Sequence, residues 1–139
     1  MSALIGLLIA LATTTPPHAS VKVPVFLQFS AQDTVGAMYV EKLREALESS
    51  AAYKRVMTAT EAQFVIGIVT MDPSEAELGA GAGRSTVAAV TLQVENAKGL
   101  NYMVYSWVLI ANRDKVNTLA TDLFGAIDNE IQELSSHVQ

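Results

Sequence analysis

The chain has 139 residues, half of them apolar and 17% charged, with a net charge of −5 and no cysteine. This length suits one domain, and the apolar fraction excludes a disordered chain. The missing cysteine removes thiol catalysis, disulfides and thiolate metal sites, and the nine scattered Lys and Arg residues exclude the basic tract that nucleic-acid binding needs.

Ala3 to Ala12 (ALIGLLIALA) is an uninterrupted apolar run followed by TTTPPHAS. As a helix it would span ~15 Å, half the hydrocarbon core, so no integral membrane span is expected from it. A short apolar run, then proline and small polar residues, is the layout of a secretory signal. Pro16 and Pro17 would end the helix ahead of a cleavage site near Ala19. Two features depart from the pattern: no Lys or Arg precedes the run, and Pro17 stands where a small residue is usual. Residues 1–19 are therefore expected to be a signal peptide and residues 20–139 a single domain, periplasmic or secreted.

Val21 to Ser30 alternates, with Val21, Val23, Val25, Leu27 and Phe29 on one side, which predicts a half-buried strand. Pro24 places it at an edge or a strand start. Ser30 and Asp33 resemble a capping box for a helix reaching about Ser50. Its apolar stripe is Val35, Tyr39, Leu43, Ala46 and Leu47. Glu41 and Glu45 invite an acid–base pair, but their helical spacing among Lys42 and Arg44 marks a solvated face. Tyr53 to Met57 reads as a second strand, and Thr58 to Glu61 as a capped turn. Phe64 to Met71 is nearly all apolar, which predicts a strand covered on both faces. The strand–helix–strand entry predicts that the first two strands run parallel.

Asp72 to Thr86 contains Gly79, Gly81 and Gly83 before Arg84, and invites a phosphate loop. The nucleotide motif needs four residues between its glycines, then Lys, and a helix after them; this run meets none of these. A mobile hairpin loop is expected instead. Asp72, Glu75 and Glu77 form an acidic loop cluster without calcium-loop spacing. There is no G-x-S-x-G elbow, and the two histidines, His18 and His137, lie in the leader and the tail. No catalytic residue, cofactor-binding residue or metal ligand is expected, and the chain is not read as an enzyme.

Val87 to Val94 and Tyr102 to Ala111 are predicted to form an antiparallel hairpin through Gly99. Asn112 is expected to cap a last helix. Val116, Leu119, Ala120, Leu123, Ile127, Ile131 and Leu134 recur at three and four residues along it. The order β-α-β-β-β-β-α makes an α+β fold around one mixed five-stranded sheet.

With AQFVIGIVTMDP, STVAAVTLQVEN and LATDLFGAI in these places, the chain from Val23 to Leu134 resembles the amino-terminal domain of the TolB family of periplasmic proteins. The resemblance implies a sheet with two long helices on one face, and a domain that binds envelope proteins and carries no catalysis. The β-propeller that follows this domain in TolB has no counterpart in these residues, and the glycine–alanine loop is an addition. The function expected is thus a non-catalytic periplasmic protein-binding or envelope accessory module. The alternative is a small ligand-binding protein or enzyme using residues 72–86 as a lid.

The fifth strand is apolar on both sides. Period-two alternation puts Tyr102, Val104, Val108 and Ile110 on one and Met103, Tyr105, Trp107 and Leu109 on the other. If both helices lie on one face, one side of this strand lacks cover. Met103, Tyr105, Trp107 and Leu109 are the candidate protein interface, for an envelope protein or for a second copy in a homodimer. The other outcome is that the glycine–alanine loop or the chain ends fold over them.

Overall fold

The computed structural model describes residues 21–74, 82–95 and 101–136. The expected leader at 1–19, Glu75, Glu77, Gly79 to Gly81, Gly99 and His137 lie outside the described residues. The elements are β1 (Val23–Ala31), α1 (Thr34–Ser49), β2 (Tyr53–Val56), a 3-10 turn at Ala59–Glu61, β3 (Phe64–Met71), β4 (Ser85–Glu95), β5 (Asn101–Asn112), a 3-10 turn at Arg113–Lys115, and α2 (Val116–Ser136). They form one mixed five-stranded sheet in the order β2-β1-β3-β4-β5. β1 runs parallel to β2 and β3, while β3, β4 and β5 alternate in direction. The fold is α+β.

The helices form because each carries one apolar stripe at helical spacing, and both stripes close on the same side of the sheet. Val35, Tyr39, Leu43 and Leu47 of α1 and Val116, Ala120, Leu123, Ile127 and Ile131 of α2 share one core with Val25, Leu27, Ile66, Ile68, Val90 and Leu92 of the sheet. Each fully buried Leu or Ile contributes roughly 1.5–3 kcal/mol by leaving water. A smaller cluster sits on the opposite side, where Val56, Ala62 and Val65 pack with Phe26 and Ala59 beneath the β2–β3 connection. That connection is short and covers only the start of β3. The expectation of cover along both faces of β3 therefore holds for its first half and fails beyond it: Val69 is 55% and Met71 60% exposed.

The helix caps differ from the sequence reading. Ser30 still belongs to β1, where it pairs with Val69, so it cannot adopt a cap. Asp33 is the cap itself, its Oδ1 accepting from the Gly36 amide at 2.6 Å. The turn after Thr58 is present, but the Thr58 hydroxyl faces that of Thr60 at 3.2 Å and caps nothing. Asn112 likewise makes no side-chain cap bond, since it remains paired with Ser85 at the end of β5.

Two tyrosines set a contrast at the helix layer. The Tyr53 ring packs edge-on against Phe124 and its hydroxyl donates to the Asp128 carboxylate. The Tyr39 hydroxyl is fully buried and has no hydrogen-bond partner among the described residues. Burial first, and then the nearby Asp122 charge, holds the Tyr39 phenol neutral far above its ordinary range; burial and then Asp128 do the same for Tyr53. Removing a satisfied hydroxyl loses a charge-assisted bond, whereas removing an orphaned one relieves a desolvation cost. Tyr53→Phe is expected to lower stability by about 1–3 kcal/mol, and Tyr39→Phe to leave it unchanged or raise it. Urea melts of the two variants test this, and a marked loss in Tyr39→Phe would show a bound partner for that hydroxyl.

Candidate functional site

Chemistry would reside in the polar groups inside the fold. At the end of β3 the Asp33 carboxylate is buried with Thr70 and Thr86. Its Oδ2 accepts from the Thr70 hydroxyl at 2.8 Å and the Thr86 hydroxyl at 2.9 Å, while its Oδ1 takes the Gly36 amide. A carboxylate beside two hydroxyls has the composition of a nucleophilic centre. However, Thr86 is 0% exposed and each carboxylate oxygen is already engaged. The arrangement ties the start of α1 to β3 and β4, and it is a structural lock.

Asp72, read from sequence as part of an acidic loop cluster, is also buried, at 8% exposure. Its oxygens accept from the amides of Ser74 at 2.8 Å and Gly83 at 2.6 Å. The Gly83 and then the Ser74 hydrogen bond hold its carboxyl below the ordinary range. Gly83 supplies the left-handed backbone, φ +76°, that brings its amide to this carboxylate. Asp72 thus pins both ends of the loop. Among the described residues no group of three or more His, Cys, Asp or Glu side chains is placed to hold a metal ion.

What stands out is a surface. On the side of the sheet away from the helices, Met71, Val87 and Ile110 lie in register across β3, β4 and β5, and so do Val69, Ala89 and Val108. Val108 is 77% and Ile110 66% exposed. The next row, Gly67, Thr91 and Ser106, is small and polar. Gly67 and Thr91 floor a groove of ≈ 290 Å³ rimmed by Gln28, Ser30 and Gln93. Gly67 leaves the Thr91 hydroxyl its place: a Cβ at this position would meet it at 2.6 Å, and the hydroxyl would have to turn away. The open face is therefore apolar at one corner and polar toward the middle.

This fold is shared with a solved protein. XCC0632 from Xanthomonas campestris, whose crystal structure is described with the family model DUF330, matches with a TM-score of 0.59 at 12% identity, over 88% of this chain and 93% of that one. The hypothetical protein CT253 from Chlamydia trachomatis matches with a TM-score of 0.44 at 13% identity, over 80% of this chain and 96% of that one. No protein-family model matches the sequence, and no curated protein sequence matches it significantly. At such identity the likeness to XCC0632 is one of fold, and no residue role travels with it.

The four residues singled out in β5 separate in space. Trp107 and Leu109 pair with Val90 and Ala88 and pack against the helix-side core. Tyr105 lies on that same side, its ring stacked on Trp107 at 6.0 Å and its hydroxyl bonded to Glu130 of α2. Met103 alone reaches the open face, because the pairing skips Val104: Leu92 faces Tyr105, yet Gln93 faces Met103. Such a bulge reverses the side on which later residues stand. Tyr102, Met103, Val104 and Tyr105 are exposed as well, but the most exposed residues of β5 are Val108 and Ile110, on the side opposite Trp107. Their alternation was visible in the sequence; which side the helices take was not.

Proposed function

We propose that this chain is a non-catalytic protein-binding module of the cell envelope, and that it binds through the open corner of its sheet. The observation that carries the reading is the exposed apolar block of Val69, Met71, Val108 and Ile110. A contiguous apolar patch on a folded chain marks an interaction surface. The polar row beside it supplies the rim that such surfaces have. The apolar run and prolines at the start of the sequence support export, and the resemblance to the TolB amino-terminal domain supports an envelope setting. No helix among the described residues is long and apolar enough to cross a membrane.

A photo-cross-linking residue placed at Val108 tests the surface directly in cells of the source organism. Position 45, on the solvent face of α1, is the control, as Glu45 is exposed and paired with Lys42 of the same helix. The expected result is a protein adduct at position 108 and none at 45. Equal labelling at both, or none at either, would overturn the reading.

A further inference from the structure

We propose that the occupant of this corner is a second copy of the chain, joined edge to edge by antiparallel pairing of β5 with β5 across a twofold axis. The inference rests on the binding-module reading and names its partner. β5 ends the strand order, so its outer backbone edge has no neighbour among the described strands. The two edges of the sheet are built differently. β2 is only four residues long and carries Lys54 and Arg55, a short and charged edge of the kind that resists further pairing. β5 has twelve residues, with no charged residue and no proline anywhere in it. From Tyr105 to Asn112, beyond the bulge at Val104, this edge carries no such guard and is a template for another strand.

The charges around β5 favour a copy of the same strand in the antiparallel sense. Arg84, Arg113 and Lys115 gather at the carboxyl end of β5, with Asp114 among them; the Arg113 amide bonds to the Arg84 carbonyl there. Nearer the middle of the strand, Glu130 and Glu133 of α2 stand beside Tyr105. A twofold axis at Leu109 pairs Val108 with Ile110 of the other copy and sets the basic end of each copy opposite Tyr105 and its glutamates. A parallel arrangement would set like against like. A chain of net charge −5 repels its copies over most approaches, and β5 offers a neutral seam. Pairing also joins Val108 and Ile110 of both copies into one apolar band on the open side, as cross-strand neighbours.

Sedimentation of the purified full chain from about 1 to several hundred µM tests this, with Val108→Lys as the edge-guard variant. Val108 is 77% exposed, so the substitution leaves the fold intact, and its melting curve checks that. The expected result is a concentration-dependent dimer whose dissociation constant rises at least tenfold in Val108→Lys and rises with salt in the wild type. A monomer at every concentration overturns the inference, and so does a dimer indifferent to Val108→Lys. The cross-link from position 108 separates the two levels. An adduct of twice the chain mass agrees with the dimer. A different mass overturns the second copy while leaving a binding module, and no adduct overturns both.

Discussion

Replacing Asp33 by alanine is expected to lower the unfolding free energy by about 2–4 kcal/mol. The helix cap on the Gly36 amide accounts for about 0.5–2 kcal/mol. The Thr70 hydroxyl, buried and stripped of its acceptor, adds about 1–3 kcal/mol. Thr86 loses less, since its hydroxyl also lies 3.2 Å from the Met71 carbonyl. Asp33→Asn keeps one carboxyl-type oxygen for the Gly36 amide and offers an NH2 that both hydroxyls can turn to meet, so it should lose less than half as much. Urea melts decide the matter, provided the slope stays constant between variants. A loss below 1 kcal/mol in Asp33→Ala would show that this network does not couple helix to sheet.

Gly36→Ala sets two effects of opposite sign against each other. Alanine is the better helix former by about 1 kcal/mol. Its Cβ, however, would stand 2.0 Å from Thr70 Oγ1, 2.5 Å from Asp33 Oδ2 and 2.6 Å from Thr70 Cβ. The last of these sits at the root of a strand side chain and cannot swing away, so overpacking of about 1–3 kcal/mol follows. The displaced Asp33 bonds, each charge-assisted, add about 1.5–3 kcal/mol. Clash and network together exceed the propensity gain, and the net expected loss is about 2–4 kcal/mol. Because both substitutions break the same network, the double variant should lose clearly less than the sum of the two. A Gly36→Ala protein that melts above the wild type would mean the helix start has room to shift.

The lock and the open corner stand at neighbouring places on one sheet, since Thr70 precedes Met71 and Thr86 precedes Val87. On the helix side these strand ends are closed by Asp33; on the other side Met71 is exposed and Val87 half-buried. The packed core thus lies on the helix side, and a charged substitution at Val108, on the other, should leave it untouched.

Much of the fold is legible as periodicity. The stripes of α1 and α2, the parallel entry through β1 and β2, and the β4–β5 hairpin follow from spacing, because a helix or strand side shows its burial locally. The caps were less legible. Ser30 has the right chemistry, but β1 extends past it, and the length of a strand is decided by its pairing with β3. The network around Asp33 was illegible, because its members lie 37 and 53 residues apart and threonine in a strand carries no signal of a partner.

The number, order and kind of the strands and long helices can be read from residue spacing, and so can the places of the two histidines, at 18 and 137. Which side of β5 is open depends on long-range packing. A strand that is apolar on both sides offers no alternation to read, and the skipped residue at Val104 moves Met103 across the sheet. The deciding contact is the packing of Trp107 and Leu109 against the helix-side core, a long-range event that partly covers one side of the strand and leaves Val108 and Ile110 exposed on the other.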